Sequence, residues 1–198
     1  WFRNSFEGSF SASGLNFKNY SEMADQINSG SEGLVFLPYL EGERTPHWDP
    51  TARGMFFGIS TEHNKGHFIR AIMEGVGFSV RDSIETMNNL GVNIDEIRAT
   101  GGGYKSRVWS QIIADITGIT IKQPSVEEGS ALGAAMLAAV GVNKFDSLEE
   151  AVSETLEVSD IFKPNRKNKL VYDKLYSIYR RLYKNNKDLF QEAKNISI

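Results

Sequence analysis

The chain has 198 residues, of which 40% are hydrophobic, and its formal net charge is −3. This length and composition predict one large domain, or one lobe of a larger protein, with a proper core. The charge balance argues against a nucleic-acid partner, and no apolar run approaches the roughly 20 residues that a membrane span needs. The lack of cysteine excludes disulfides and thiolate–metal sites, and it is compatible with a reducing compartment, which we expect to be the cytoplasm.

The first residue of the chain is Trp1, not methionine. The stretch from Trp1 to Glu7 is aromatic and amphipathic, which predicts the end of a helix. We therefore expect a fragment of a longer protein. The next sixty residues predict short elements: a Gly/Ser-rich loop from Ser9 to Ser13, a helix from Asn19 to Ser29 capped by Gly30, strands from Leu34 to Leu37 and from Met55 to Ile59, and a polar loop from Gly42 to Gly54.

The longest predicted helix runs from Lys65 to Leu90, where apolar residues keep a helical spacing. Gly75 and Gly77 lie inside it, where each costs about 1 kcal/mol relative to alanine. Glycines in such positions indicate close packing against a neighbouring element. Gly91 is expected to end the helix as a C-cap.

The rest of the chain is organised around a glycine turn that follows a predicted short strand ending at Thr100. Gly101, Gly102 and Gly103 lead to Ser106, a good N-cap for a helix from Arg107 to Thr117. Glycine lets backbone approach a ligand closely, and a helix start offers free N–H groups to it. The pattern favours a nucleotide site, although a βα turn that merely requires positive φ angles would look the same.

Four more elements are predicted after this helix, which Gly118 is expected to cap. They are a strand from Ile119 to Lys122, a helix of small residues from Glu127 to Val140, a helix from Leu148 to Leu156, and a terminal helix from Leu170 to Phe190. Small side chains let a helix lie close to a sheet or a ligand. The alternation of strands and helices predicts an α/β layer with some parallel pairing.

No catalytic centre is visible in the sequence. The three histidines, His47, His63 and His67, lack zinc-ligand spacing, so no metal site is predicted. Neither a nucleophile elbow nor a Walker A sequence occurs. A dinucleotide fingerprint is nearly matched, but Ser106 replaces its third glycine, and the next strand lacks the terminal acid that would bind ribose, the nearest being Glu127.

Three separated stretches together resemble the C-terminal lobe of the FGGY family of carbohydrate kinases. Gly54-Met55-Phe56-Phe57-Gly58-Ile59, seven residues later followed by His67-Phe68-x-x-Ala71-Ile72-Met73-Glu74, is similar to the family's C-terminal signature. Thr100 to Ser106 resembles its adenosine-binding loop, and Glu128 to Ala135 resembles the helix after the next strand. Glu74 fits the signature, but a buried structural role is favoured for it.

The resemblance implies that residues 1–198 form the C-terminal lobe of a two-lobe sugar kinase with an actin-like, RNase H-like α/β fold, a mixed sheet flanked by helices. ATP would place its adenosine on Gly101, Gly102, Gly103 and Ser106. Mg²⁺ would be held mainly through the phosphates and the N-terminal lobe. The resemblance makes the N-terminal lobe a partner of this chain, and that lobe would also carry the catalytic aspartate. The phosphate-holding Gly-Thr-Ser hairpin would lie upstream of Trp1. No catalytic residue is therefore expected in this chain.

Within the family, the stretch Phe36 to Pro50 and the pattern Val171 to Tyr176 are most similar to xylulokinases, with gluconokinases the nearest rivals. Arg44 or Arg53 in the polar loop would face the cleft, and a purely structural arginine is an equal alternative. Tyr104 departs from the alanine more frequent in xylulokinases. A non-catalytic module of actin-like fold and a homodimer both stay open.

Overall fold

The computed structural model describes residues 1–6, 16–125 and 129–196. The predicted loop from Ser9 to Ser13 and the first residues of the predicted helix at Glu127 lie outside these ranges. Seven helices occur in the described ranges: α1 (Phe2–Phe6), α2 (Phe17–Asp25), α3 (Lys65–Asn89), α4 (Arg107–Thr117), α5 (Gly129–Gly141), α6 (Leu148–Thr155) and α7 (Arg166–Ile196). The described ranges also contain five strands: β1 (Val35–Leu37), β2 (Met55–Phe57), β3 (Glu96–Arg98), β4 (Thr120–Pro124) and β5 (Val158–Phe162).

The strands form two sheets. In one, β1 pairs antiparallel with β2, and in the other the order is β3-β4-β5. The β3–β4 pair is parallel and the β4–β5 pair is antiparallel, so the sheet is mixed. The predicted parallel pairing is thus confirmed, and β5 was missed because its residues do not alternate, Val158 and Ile161 being exposed and Phe162 buried.

The predicted helix α3 is confirmed to within one residue of its end. Its two internal glycines lie where neighbouring elements pack closely against the helix, as the sequence predicted. A Cβ on Gly75 would overlap the carbonyl oxygen of Phe36 in β1, and a Cβ on Gly77 would lie 2.6 Å from Ile116 in α4. Glycine therefore lets α3 lie directly against both neighbours. The main core lies here, where apolar side chains of α2, β1, α3, α4 and α7 meet.

The predicted end of α2 was wrong. The helix starts at Phe17 because the side chain of Asn16 accepts hydrogen bonds from the Lys18 and Asn19 amides, and it ends at Asp25. Gly30, predicted as its C-cap, has φ 93° and instead begins a left-handed turn that runs to Gly33.

Helix α7 is longer than predicted and forms much of the core. The helix begins at Arg166, four residues before the predicted Leu170, where the side chain of Asn165 accepts a hydrogen bond from the amide of Lys167. Its tyrosines Tyr172, Tyr176 and Tyr179 are buried. No helix in the described ranges has the length and apolar character needed to cross a membrane.

Candidate nucleotide-binding site

The triple glycine lies at the carboxyl end of the parallel strand pair. Gly101 has φ 95° and ψ 176°, a backbone conformation that residues with a side chain rarely adopt. Gly102 to Lys105 then form one turn of 3-10 helix, in which the Tyr104 amide donates to the Gly101 carbonyl at 3.3 Å. Ligands of open α/β sheets bind outside the carboxyl ends of the strands, so the turn is where a nucleotide is expected.

The backbone of this turn is open on its outer side. All three glycines are exposed, and a Cβ on Gly101 or Gly102 would meet no atom within 4 Å. A Cβ on Gly103 would lie 3.0 Å from the ring of Trp109, so this glycine packs on the protein instead. Gly101 and Gly102 therefore leave space that a flat ligand can occupy.

Ser106 is confirmed as the N-cap of α4, because its hydroxyl oxygen accepts a hydrogen bond from the Trp109 amide at 3.2 Å. The Ser106 hydroxyl also shares a hydrogen bond of 2.8 Å with the hydroxyl of Ser21 in α2, which bonds in turn with the Phe17 carbonyl at 3.0 Å. A serine hydroxyl has one donor and two acceptor positions. One hydrogen-bond position of the Ser106 hydroxyl thus stays available for a group outside the protein, such as a base edge.

The turn is fixed to the core through Trp109. Its indole Nε1 donates to the carbonyl of Met73 in α3 at 3.0 Å, which joins the first turn of α4 to α3. Lys105 and Arg107 add two positive charges beside the turn, and Arg107 forms an ion pair with Asp160 of β5. Positive charge and free helix N–H groups at one place favour an anionic ligand.

The polar loop from Gly42 to Gly54 packs on other elements, α3 and α7. Within the loop, the backbone amides of Glu43 and Asp49 each donate to the other's carbonyl, at 2.8 Å and 2.7 Å. The Tyr183 hydroxyl of α7 donates to Asp49 at 2.9 Å, and the ring of Tyr183 stacks on His47 at 3.8 Å between ring centroids. The His47 Nε2 lies 3.1 Å from the buried carboxylate of Asp82 in α3.

The two arginines predicted at the cleft differ in their surroundings. The Nη1 of Arg53 donates to the carbonyls of Pro50 and Ala52, at 3.2 Å and 2.8 Å, so this side chain turns back on its own loop. Arg44 is exposed. The polar residues of the loop were visible in the sequence, whereas Asp82 and Tyr183 were missed, because no local signal links them to it.

Glu74, which carries part of the family signature, lies away from this turn and is buried, as expected. Its carboxylate accepts from the Gly30 amide, the Arg70 guanidinium, the Ser31 hydroxyl and the Tyr172 hydroxyl, at 2.8 to 2.9 Å. Among residues 1–6, 16–125 and 129–196, no group of three or more His, Asp or Glu side chains could hold a metal ion.

The mixed sheet, its helices and the open turn at the strand ends are typical of an actin-like nucleotide-binding lobe. Residues 1–142 match the model of the FGGY family of carbohydrate kinases, C-terminal domain. The chain belongs to this family, and its α/β fold is that of the actin-like sugar kinases.

Proteins similar to this chain are named as kinases of two different substrates, xylulose and gluconate. Xylulose kinase of Staphylococcus epidermidis is 42% identical over 181 residues, which are 91% of this chain and 36% of that protein. The ligand-bound xylulose kinase of Lactobacillus acidophilus superposes with a TM-score of 0.87 at 27% identity, over 96% of this chain and 38% of the other. Gluconate kinase of the same species gives a TM-score of 0.87 at 28% identity, over 97% and 38%. The chain thus spans well under half the length of these relatives.

Proposed function

We propose that this chain forms the adenosine-binding side of an ATP-dependent sugar kinase of the cytoplasm. The observation that carries the proposal is the open backbone of Gly101 and Gly102 at the carboxyl ends of β3 and β4. Adenosine would lie on this turn, with Gly103 held by Trp109 and the Ser106 hydroxyl directed to the base. The family match supports the same assignment.

In the intact protein, the proposed reaction is transfer of the γ-phosphoryl group of ATP to a sugar hydroxyl. Catalysis of this kind relies on positioning and on neutralising phosphate charge, and Mg²⁺ supplies positive charge at the phosphates. The residues described here bind and orient the nucleotide. The group that takes the hydroxyl proton is assigned to the N-terminal lobe of such kinases, and closure of the two lobes would exclude water.

The sugar proposed is D-xylulose, with xylulose 5-phosphate as the product and a role in xylose metabolism. The names of relatives at 42% and 39% identity support it. Gluconate is the second candidate, because a gluconate kinase superposes with the same TM-score of 0.87. The kcat/KM of the intact enzyme for D-xylulose, gluconate and glycerol decides between them, and a preference for gluconate would replace D-xylulose in the proposal.

The nucleotide site is tested by titrating ATP or ADP into the chain and following amide shifts by NMR. We expect weak binding with shifts at Gly101 to Ser106, lost in Gly102→Val, because the new side chain fills the open space without a clash inside the protein. Gly141→Val is the matched control, since Gly141 also has open space around its Cβ position. Shifts that map elsewhere, or that persist in Gly102→Val, would disprove the site.

A further inference from the structure

A small polar cavity lies between the end of α2, one side of α4 and the start of α7. Its volume is about 270 Å³, close to the lower limit of roughly 300 Å³ for ligand pockets, so it can take only a small molecule. Most of the side chains that line it are polar, and two of them are carboxylates, Asp25 and Asp115. The residues from Gly101 to Ser106 do not line it, so the cavity is separate from the proposed nucleotide site.

Asp115 in α4 is a buried carboxylate with neutral partners. The residue is 2% exposed, and its oxygens accept from amide groups of Gln111, Asn165 and Asn168 at 2.7 to 2.8 Å. The start of α7 offsets part of the negative charge through the helix dipole. Within the described ranges, no lysine, arginine or histidine forms an ion pair with Asp115. A cation bound beside it would therefore lower the cost of burying this charge.

The Asp115 carboxylate also keeps room for one more hydrogen bond. An ionised carboxylate has about four acceptor positions, and the amide donors use two on Oδ1 and one on Oδ2. One position on Oδ2 is thus open to a further donor. Because Asp115 lines the cavity, a donor group bound in the cavity can take it.

The second carboxylate, Asp25, lies where a negative charge is unfavourable. It is the last residue of α2, and the helix dipole places partial negative charge at that end. Asp25 is exposed, and none of the described residues forms an ion pair with it. A ligand that brings positive charge to this end of α2 would relieve the repulsion.

Arg70 lines the same cavity but does not offset these two charges. Its guanidinium is already paired with Glu74, with Nε 2.8 Å from the carboxylate. Four of its five N–H groups donate to protein acceptors, which are Glu74, the Ala24 carbonyl, the Ser29 hydroxyl and the Tyr172 hydroxyl. An anion in the cavity would meet two carboxylates and a guanidinium with little left to donate. The lining therefore favours a cation.

We propose that this cavity binds a small aliphatic ammonium compound, such as a diamine, whose charged groups donate to Asp115 and Asp25. The side chains of Ile27, Val108 and Ile112 also line the cavity and offer an apolar surface to a methylene chain. A bare metal ion fits less well, because these three side chains supply no oxygen ligand. The inference goes beyond the proposed function and does not depend on it.

Titration of the chain with putrescine, a four-carbon diamine, tests the site. We expect saturable NMR shifts at the amides of Asp25, Gln111 and Asp115. Butanediol of the same chain length carries no charge, so it should give no saturable shift there. Equal binding of the diol would overturn the proposal, as would shifts that do not saturate or that potassium chloride of the same ionic strength reproduces.

Two variants assign the contacts. Asp25→Asn should weaken putrescine binding about twofold to fivefold, as expected for an exposed ion pair. Asp115→Asn should weaken it on the order of tenfold or more, because a hydrogen bond to a buried charge is stronger. If Asp115→Asn does not fold, Asp25→Asn and the diol decide the result.

Glu22→Gln is the matched control, because Glu22 is an exposed carboxylate of the same helix that does not line the cavity. It should leave putrescine binding unchanged. An equal loss in Glu22→Gln and Asp25→Asn would show that the diamine responds to overall charge, and it would overturn the proposed site.

Discussion

The Tyr172 hydroxyl of α7 donates to the Glu74 carboxylate of α3 at 2.9 Å, across 98 residues of sequence, and both side chains are buried. Arg70 donates to both of them, through Nε to Glu74 at 2.8 Å and through Nη2 to the Tyr172 hydroxyl at 3.0 Å. The same carboxylate accepts from the amide of Gly30. One buried ion pair, Arg70 with Glu74, therefore holds α7, α3 and the left-handed turn together, and burial of this kind is favourable only while every partner is present.

Removing the Tyr172 hydroxyl should destabilise the chain. Tyr172→Phe leaves Arg70 and Glu74 buried with one partner fewer, and we expect the free energy of unfolding to fall by about 1–3 kcal/mol. Tyr20→Phe is the control, because the buried Tyr20 hydroxyl has no hydrogen-bond partner among the described residues. Urea unfolding followed by circular dichroism measures both. An equal loss in the two variants would show that the hydroxyl of Tyr172 adds nothing specific.

Adding one methyl group at Gly75 should be costly. The methyl of Gly75→Ala would overlap the Phe36 carbonyl, so α3 must move away from β1, and we expect a loss of about 1–3 kcal/mol in the free energy of unfolding. Gly133→Ala has open space, and it should be neutral or stabilise α5 by up to about 1 kcal/mol through helix propensity. Thermal unfolding of the two variants should shift in opposite directions or by clearly different amounts.

Stability should fall in acid partly through Asp82. Burial alone would raise the pKa of Asp82, but the His47 imidazole and the Tyr176 hydroxyl outweigh it and hold the pKa below its ordinary value. A lowered pKa in the folded state means that Asp82 stabilises the fold above the unfolded-chain pKa of about 3.9. That contribution is lost as the pH falls through the lower folded value.

The Asp82→Asn variant tests this. Its free energy of unfolding, measured in urea from pH 7 to pH 2, should be lower than that of the parent at neutral pH and should fall less steeply in acid. Some slope should stay, because the pKa of Asp49 is also lowered, by bonds from Thr51 that outweigh its burial. Parallel curves for the parent and the variant would mean that Asp82 is not coupled to folding.

The chain by itself should not phosphorylate sugars. The family resemblance implies that the proton acceptor and the phosphate hairpin lie outside these residues, and general-base catalysis alone contributes typically about 10²–10⁴-fold. A coupled assay of ADP release with ATP and D-xylulose should stay at the rate of ATP without sugar. Turnover by the purified chain that rises with D-xylulose would place catalytic residues among these 198.

The sequence by itself determined the elements whose signals are local. The spacing of apolar residues fixed α3, Ser106 capped α4, and the left-handed Gly118 ended it, each within about one turn of the chain. The same kind of signal located the glycine turn. Capping and periodicity act between residues a few positions apart, so they can be read without knowing the fold.

Only the tertiary structure decided the contacts that join distant segments. The partners of Glu74, the contact of His47 with Asp82, and the pairing of β5 with β4 depend on which helices and strands lie side by side. The small residues of α5 indicated that this helix can lie close to a sheet or a ligand, but the fold alone showed that Met136 is its only buried residue. A buried charge or an apolar helix takes its stability from whatever packs against it, and that depends on how the whole chain closes on itself.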